Sequence, residues 1–290
     1  MNEGINARRN SLLTISLFTA LLFVTTLTLD FIMLKHSYES RDSQLYQSLL
    51  TLRNFIPLFS VVTAVKILRR DVRHSLRDYG LRRCKFRLLL LSGLMPYLMY
   101  GLGTAYAFIA GFEVLNPLIP LYRDYGANLP EGSEAFLLTM SLMSTLFVGT
   151  TILCLIMLGQ EVGWRGLLLN ELTTLLKNNL LTNLVIGVIW GLWYSPLIIL
   201  YGIYYPDHRD ILGISMMIIA CYSLSLLFSH IKLRIGSLLA PAAASGVLNG
   251  LHNLMAYTAV VNDSLYSMPI GLLGISSIIT LTILLNILWR

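Results

Sequence analysis

The sequence predicts an all-α polytopic membrane protein, a bundle of about eight transmembrane helices with both termini in the cytoplasm. Three observations lead there. Of the 290 residues 56% are hydrophobic and only 12% are charged, about half the charge of a typical soluble protein, and mean hydropathy is +0.69. Uncharged runs long enough to cross a bilayer as helices recur along the whole length, and no alternating barrel pattern is visible. Finally, Lys and Arg segregate between alternate connecting segments.

The runs fall at 11–33, 45–66, 88–111, 136–158, 181–203, 211–229, 236–261 and 268–289. The first follows Arg8 and Arg9, but it is too long for the apolar part of a signal peptide and lacks a small-residue cleavage site. It is expected to stay as an uncleaved first span. No repeat, low-complexity tract or soluble domain interrupts the series, so 1–290 reads as one membrane domain.

With the N-terminus inside, 16 basic residues lie on the cytoplasmic side, nine of them between Lys66 and Arg87. Only four, Lys35, Arg41, Arg123 and Arg209, lie outside, and Arg53 falls within the second span. The net charge of +6 then reflects topology and contact with anionic membrane lipid. Nucleic acid is excluded as a partner, because the basic segment "KILRRDVRHSLRDYGLRRCKFR" abuts a membrane span. Cys84, Cys154 and Cys221 are odd in number and widely spaced, so they are expected to be free thiols.

Ionisable groups within a span need a partner. Two stand out, Asp30 near the outer end of the first run and Arg53 about two turns into the second, and they are expected to form a structural ion pair.

Three polar clusters interrupt the later runs. In "GQEVGWRG" (159–166), at the end of the fourth run, Glu161 and Arg165 are four apart and can pair on one helix face, with Gln160 beside them. Spacing alone makes this an interfacial ion pair. In "WGLWYSP" (190–196), Trp190 and Tyr194 are one turn apart, Pro196 should bend the helix, and Gly187 and Gly191 permit close helix approach. In "RIGSLLAPAAASGVLNGLHN" (234–253), small residues from Ala240 to Gly246 permit another close approach, and Ser245, Asn249 and His252 make one polar stripe. Such a stripe faces protein or a wet cavity.

Taken together and in order, the three clusters resemble the motifs of the CPBP (CAAX protease and bacteriocin-processing, or Abi) family of intramembrane proteases. The resemblance covers about 78–255, including "DYGLRR" upstream. Its first motif often reads Glu-Glu-x-Gly-Trp-Arg-Gly; "QEVGWRG" matches except that Gln160 stands for the first glutamate. In the second, commonly Trp-Gly-Leu-Trp-His-x-Pro, Tyr194 stands for the histidine. In the third, Asn249 and the lead-in "RIGSL" are kept, but Ser245 stands for the histidine.

The resemblance implies an eight-helix bundle in the plasma (cytoplasmic) membrane with its site in the cytoplasmic half. In active relatives the first glutamate and first histidine activate the attacking water, and the second histidine and asparagine stabilise the oxyanion; some accounts place a metal there instead. Here three of those four groups are replaced. Gln160 cannot ionise, Tyr194 is a poor base with an ordinary pKa near 10, and Ser245 is too short to stand in for an imidazole. Glu161 points about 100° away from position 160, toward Arg165, and His252 lies about 10 Å along the helix from Ser245.

The expected protein is therefore a catalytically inactive homologue with a binding or regulatory role, and whether any enzyme activity remains is open. Two other readings stand beside it: an active, divergent CAAX-processing endopeptidase, and a small transporter or lipid-handling protein. No cofactor is implied, and a divalent metal would need a rearranged site. Expected partners are membrane lipid and a peptide or membrane protein; the residues give no oligomeric state.

Overall fold

The computed structural model describes residues 2–37 and 44–288, with side chains from Arg8 to Leu34 and from Gln44 onward. Helices occupy all eight apolar segments, and no strand occurs among the described residues. Arg41 and Arg290, used in the charge count, lie outside them.

The first span is α1 (Asn2–Ser37). The second is broken into α2 (Gln44–Arg53) and α3 (Ile56–Ile67), which meet at 44°. Pro57 in the first turn of α3 supplies the break, since its ring leaves a carbonyl of the preceding turn without a donor. Arg53 therefore ends a helix at the break instead of lying inside one. A short α4 (Val72–Asp78) links to α5 (Phe86–Ile109), and α6 (Leu118–Asp124) precedes the fourth span.

That fourth span differs most from expectation. α7 (Glu134–Val148), α8 (Cys154–Glu161) and α9 (Leu169–Leu176) are joined by π turns at Gly149–Leu153 and Val162–Leu168 into one helix of 43 residues. "GQEVGWRG" therefore lies inside a helix and not at its end. The helix continues because the segment has no proline, and its glycines accept the wider turn.

α10 (Asn179–Tyr201), α11 (Ile211–Ile235), α12 (Leu239–Thr258) and α13 (Leu272–Leu288) complete the bundle. Side-chain caps start α10 and α11: Asn178 accepts from Leu181 N (3.1 Å) and Asp210 from Leu212 N (2.9 Å). Five helices are long and apolar enough to cross a membrane, and the bent α2–α3 pair makes a sixth. α13, at 17 residues, is short of that length, and α12 is diluted by its small and polar residues. This is an all-α polytopic membrane protein, with large apolar side chains such as Phe31, Ile109, Phe147 and Ile211 turned outward.

Two bundle ends follow from the connections. At the basic end, the 68–85 segment meets the start of α12, where Leu238 N donates to Gly80 O (2.9 Å). At the opposite end, 110–117 meets 258–260 through Leu115 N to Thr258 O and Val260 N to Glu113 O, both 2.9 Å. Close packing holds the middle: a Cβ on Gly246 of α12 would stand 2.3 Å from Gly149 O in the first π turn. The three cysteines are free thiols.

Arg53 Nε donates to Asp30 Oδ1 (2.8 Å) and Nη2 to Oδ2 (3.0 Å), with both side chains at most 2% exposed. Nη2 also donates to Trp193 O (2.5 Å), and Tyr201 Oη donates to Asp30 O (2.6 Å). Removing one partner of such a pair leaves an uncompensated charge, at a cost of about 3–5 kcal/mol, whereas an apolar replacement of both costs less. Asp30→Leu and Arg53→Met should each lower the unfolding temperature in detergent sharply, with partial recovery in the double variant. Equal loss in all three would refute pairing as the dominant role.

Candidate functional site

Gln160 and Glu161 close α8, and Arg165 sits in the π turn that follows. A π turn adds a residue to the helical repeat and often marks a site where side chains must be re-aimed. Arg165 Nη1 nonetheless donates to Glu161 Oε1 (3.2 Å), and neither side chain has any exposure. The guanidinium carbon lies 4.3 Å from the ring centre of Trp190 and 5.1 Å from that of Phe228. Glu161 Oε2 and Arg165 Nε and Nη2 make no hydrogen bond among the described residues. Charge and stacking on aromatic faces hold the pair.

Gln160 is fixed at both ends of its amide. Nε2 donates to Asn54 Oδ1 (2.5 Å), and Oε1 accepts from Trp164 Nε1 (3.4 Å). Asn54 stands at the α2–α3 break, next to Arg53. The guanidinium of Arg53 lies over the Trp193 ring (4.0 Å) and 5.8 Å from the centre of the Tyr194 ring.

On α10, Pro196 leaves the carbonyl of Leu192 without its helical donor, and Ser195 Oγ takes that place at 2.7 Å. The Tyr194 ring packs edge-on against Tyr204 (5.3 Å), which packs edge-on against His252 (5.6 Å). Tyr194 also lies within hydrogen-bonding reach of Gln160. Tyr204 has φ +75°, a strained backbone for a tyrosine. On α12, Asn249 Nδ2 donates to Ser245 O (3.0 Å) and to Met157 Sδ (3.2 Å).

A cavity of about 50 Å³, room for a few waters, opens between these helices. Trp190, Tyr194, Ser245, Asn249 and His252 line it. Gln160, Glu161 and Arg165 do not; Arg165, paired with Glu161, sits behind the wall that Trp190 and Phe228 form, and Gln160 is held against Asn54 and Trp164. Asp30 and Arg53 form a separate buried pair beside it. Sequence reasoning missed Asn54, Tyr204 and Cys221. Tyr204 carried no signal, since it follows the end of α10 and its backbone strain is not written in the residue order.

The sequence reading puts the whole site in the half beside the basic segment. The structure puts only one end there. Phe228 and Ser245 lie within two turns of the basic end, but Tyr204 and Ile270 belong to connections at the opposite end.

The donor set also bears on the metal that some accounts of the family place here. The motif positions supply two amides, a phenol and a hydroxyl, which do not suit a divalent transition metal, and His252 and Cys221 are the cavity's imidazole and thiol. Among the described residues no three His, Cys, Asp or Glu side chains converge.

Fold and site define a helical membrane bundle with a narrow polar cavity among the α10, α11 and α12 helices. Residues 141–251 match the family described as Type II CAAX prenyl endopeptidase Rce1-like. Over these residues the chain is similar to CAAX-protease-like membrane proteins. No curated protein matches the chain.

The connections that close the cavity at the opposite end are clasped together. His208 Nε2 stands 3.0 Å from both carboxylate oxygens of Asp263, and Asp207 accepts from Ser264 N at 3.0 Å. The hydrogen bond to Asp263 raises the His208 pKa. Leu265 N, and then His208, lower that of Asp263.

The histidine contribution is complete below the unfolded imidazole value, about 6.5, and is lost as pH rises through the higher folded value. The aspartate contribution is present above about 3.9 and is lost as pH falls through the lower folded value. The clasp is thus strongest between about pH 4 and about pH 6.5. Its share of the fall in unfolding temperature from about pH 6 to about pH 8 should vanish in His208→Gln; an unchanged slope would show that the clasp contributes nothing.

Proposed function

We propose that this protein is a single-domain CPBP-family bundle that has kept the family's cavity without its proteolytic chemistry, and that it acts by binding a small polar group or chain end there. The observation that carries this reading is the separation of acid from base. The carboxylate of Glu161 is paired with Arg165 behind Trp190 and Phe228, whereas His252, the one imidazole of the cavity wall among the described residues, packs on Tyr204. General acid–base catalysis needs the two within reach of one water. The motif positions themselves carry Gln160, Tyr194 and Ser245, none of which is a base at neutral pH.

The cavity size supports the same reading. About 50 Å³ holds solvent or a small group, not the extended backbone of a peptide substrate. The concentration of Lys and Arg in 66–87 supports cytoplasmic placement of both termini, and the family resemblance alone favours the plasma membrane.

Purified protein should leave prenylated and unmodified peptides uncleaved. Gln160→Glu, Tyr194→His and Ser245→His combined should gain cleavage if the inherited geometry is intact. Cleavage by the natural protein, abolished by Glu161→Gln in a variant that still elutes as a folded species, would overturn the reading. Glutamine is preferred to alanine because it keeps the volume beside Arg165.

A further inference from the structure

Nine of the 21 Lys and Arg residues lie between Lys66 and Arg87, and the structure divides them. Arg70 pairs with Glu171 (3.2 Å). Both acidic residues of the segment are occupied: Asp71 accepts from His74 N (2.5 Å), and Asp78 contacts the His74 imidazole (2.8 Å). Arg73, Arg77, Arg82 and Arg83 are exposed and have no acidic partner among the described residues. With Leu76 and Leu81 they line a single concavity of about 530 Å³.

The concavity has a fixed shape. Arg73 and Arg77 are one turn apart on α4. The chain then reverses at Gly80, where φ is +102°, and brings Arg82 back so that its Nε donates to Arg77 O (3.0 Å). Leu81 N donates to Leu76 O (2.9 Å). The returning strand of chain is pinned to the start of α12, with Ser237 Oγ donating to Arg82 O (2.7 Å). A freely moving run of charge would show none of these bonds.

No acidic residue lines the concavity, so its four arginines repel one another, and an anion relieves that repulsion. Their planar forks match phosphate oxygens two at a time. The position selects the source of the phosphate. α4 lies between the end of α3 and the start of α5, where Ile67 and Phe86 stand 57% and 58% exposed at the ends of two spans. That is the level of lipid headgroups, and Leu76 and Leu81 offer an apolar floor beside the arginines.

We propose that this concavity is a binding site for the phosphate headgroup of an anionic phospholipid. The site is independent of the cavity among α10, α11 and α12 and of any function assigned to it. A soluble phosphate would gain nothing from the apolar floor, and a nucleic acid would need a basic surface extending away from the spans.

The test is native mass spectrometry of the full chain in detergent, titrated with phosphatidylglycerol, phosphatidylcholine or inorganic phosphate. Phosphatidylglycerol should give a retained single adduct, and Arg73→Gln with Arg77→Gln should weaken it about tenfold or more. Lys85→Gln with Arg87→Gln removes the same charge outside the concavity and should leave it within about twofold. Where the first double variant fails to fold, Arg83→Gln alone should still weaken the adduct more than the control pair does.

Equal weakening by the control pair would reduce the effect to diffuse charge and overturn the site. Equal retention of phosphatidylcholine would overturn the headgroup assignment. Inorganic phosphate that raises the unfolding temperature as much as phosphatidylglycerol would overturn the lipid as the source.

Discussion

Arg53 is the charge that the rest of the bundle must accommodate. A guanidinium at 2% exposure among membrane helices is tolerable only if every approach to it is occupied. Asp30 on α1 neutralises it, the Trp193 carbonyl on α10 takes another N–H, and the Trp193 ring covers its face. Three helices are thereby brought to one point, where the second span breaks. The break then positions Asn54, which holds Gln160. A structural ion pair and a motif residue are coupled through one bend in the chain.

The same constraint acts on Glu161 and Arg165, with a different outcome. There the pair is local, within a π turn, and aromatic rings from α10 and α11 close over it. Sealing lowers the cost of the buried charges but removes the carboxylate from the cavity. The wall that stabilises Glu161 and Arg165 thus keeps that pair from the stripe of Ser245, Asn249 and His252, whereas Gln160 and Asn249 both contact Met157. Proximity along three sequence motifs does not give access to a common water, and catalysis depends on access.

Much of this was legible in the residue order. Long apolar runs located all eight helical segments, because a span must satisfy its own backbone. Rare charges inside those runs identified the Asp30–Arg53 pair, since an intramembrane charge has few options; spacing identified Glu161 with Arg165, but as an interfacial pair and not the fully buried one observed. Gly187 and Gly191 did mark a contact: a Cβ on either would come within 2.6 Å of the α11 backbone. What stayed hidden has a common cause. The π turns, the 43-residue continuity of the fourth helix and the strained backbone of Tyr204 arise from packing between distant segments. Periodicity is read within one helix and does not register them. The cavity's extension toward Tyr204 and Ile270 was missed as well: Tyr204 lies in a connection without apolar pattern, and Ile270, counted within the eighth run, precedes the start of α13.

Charge balance links the three altered motif positions. Asp30 with Arg53 and Glu161 with Arg165 already sum to zero within the bundle. A second glutamate at position 160, as in the motif the sequence resembles, would sit beside Asn54 and Trp164 with no cation left to meet it. An imidazole at 194 or 245 could take up a proton and supply that cation; Tyr194 and Ser245 cannot. With those two residues in place, a neutral amide at 160 is the side chain that keeps similar reach without an unpaired buried charge. On the proposed reading, Gln160, Tyr194 and Ser245 belong together as the side chains of a neutral polar cavity backed by an aromatic wall.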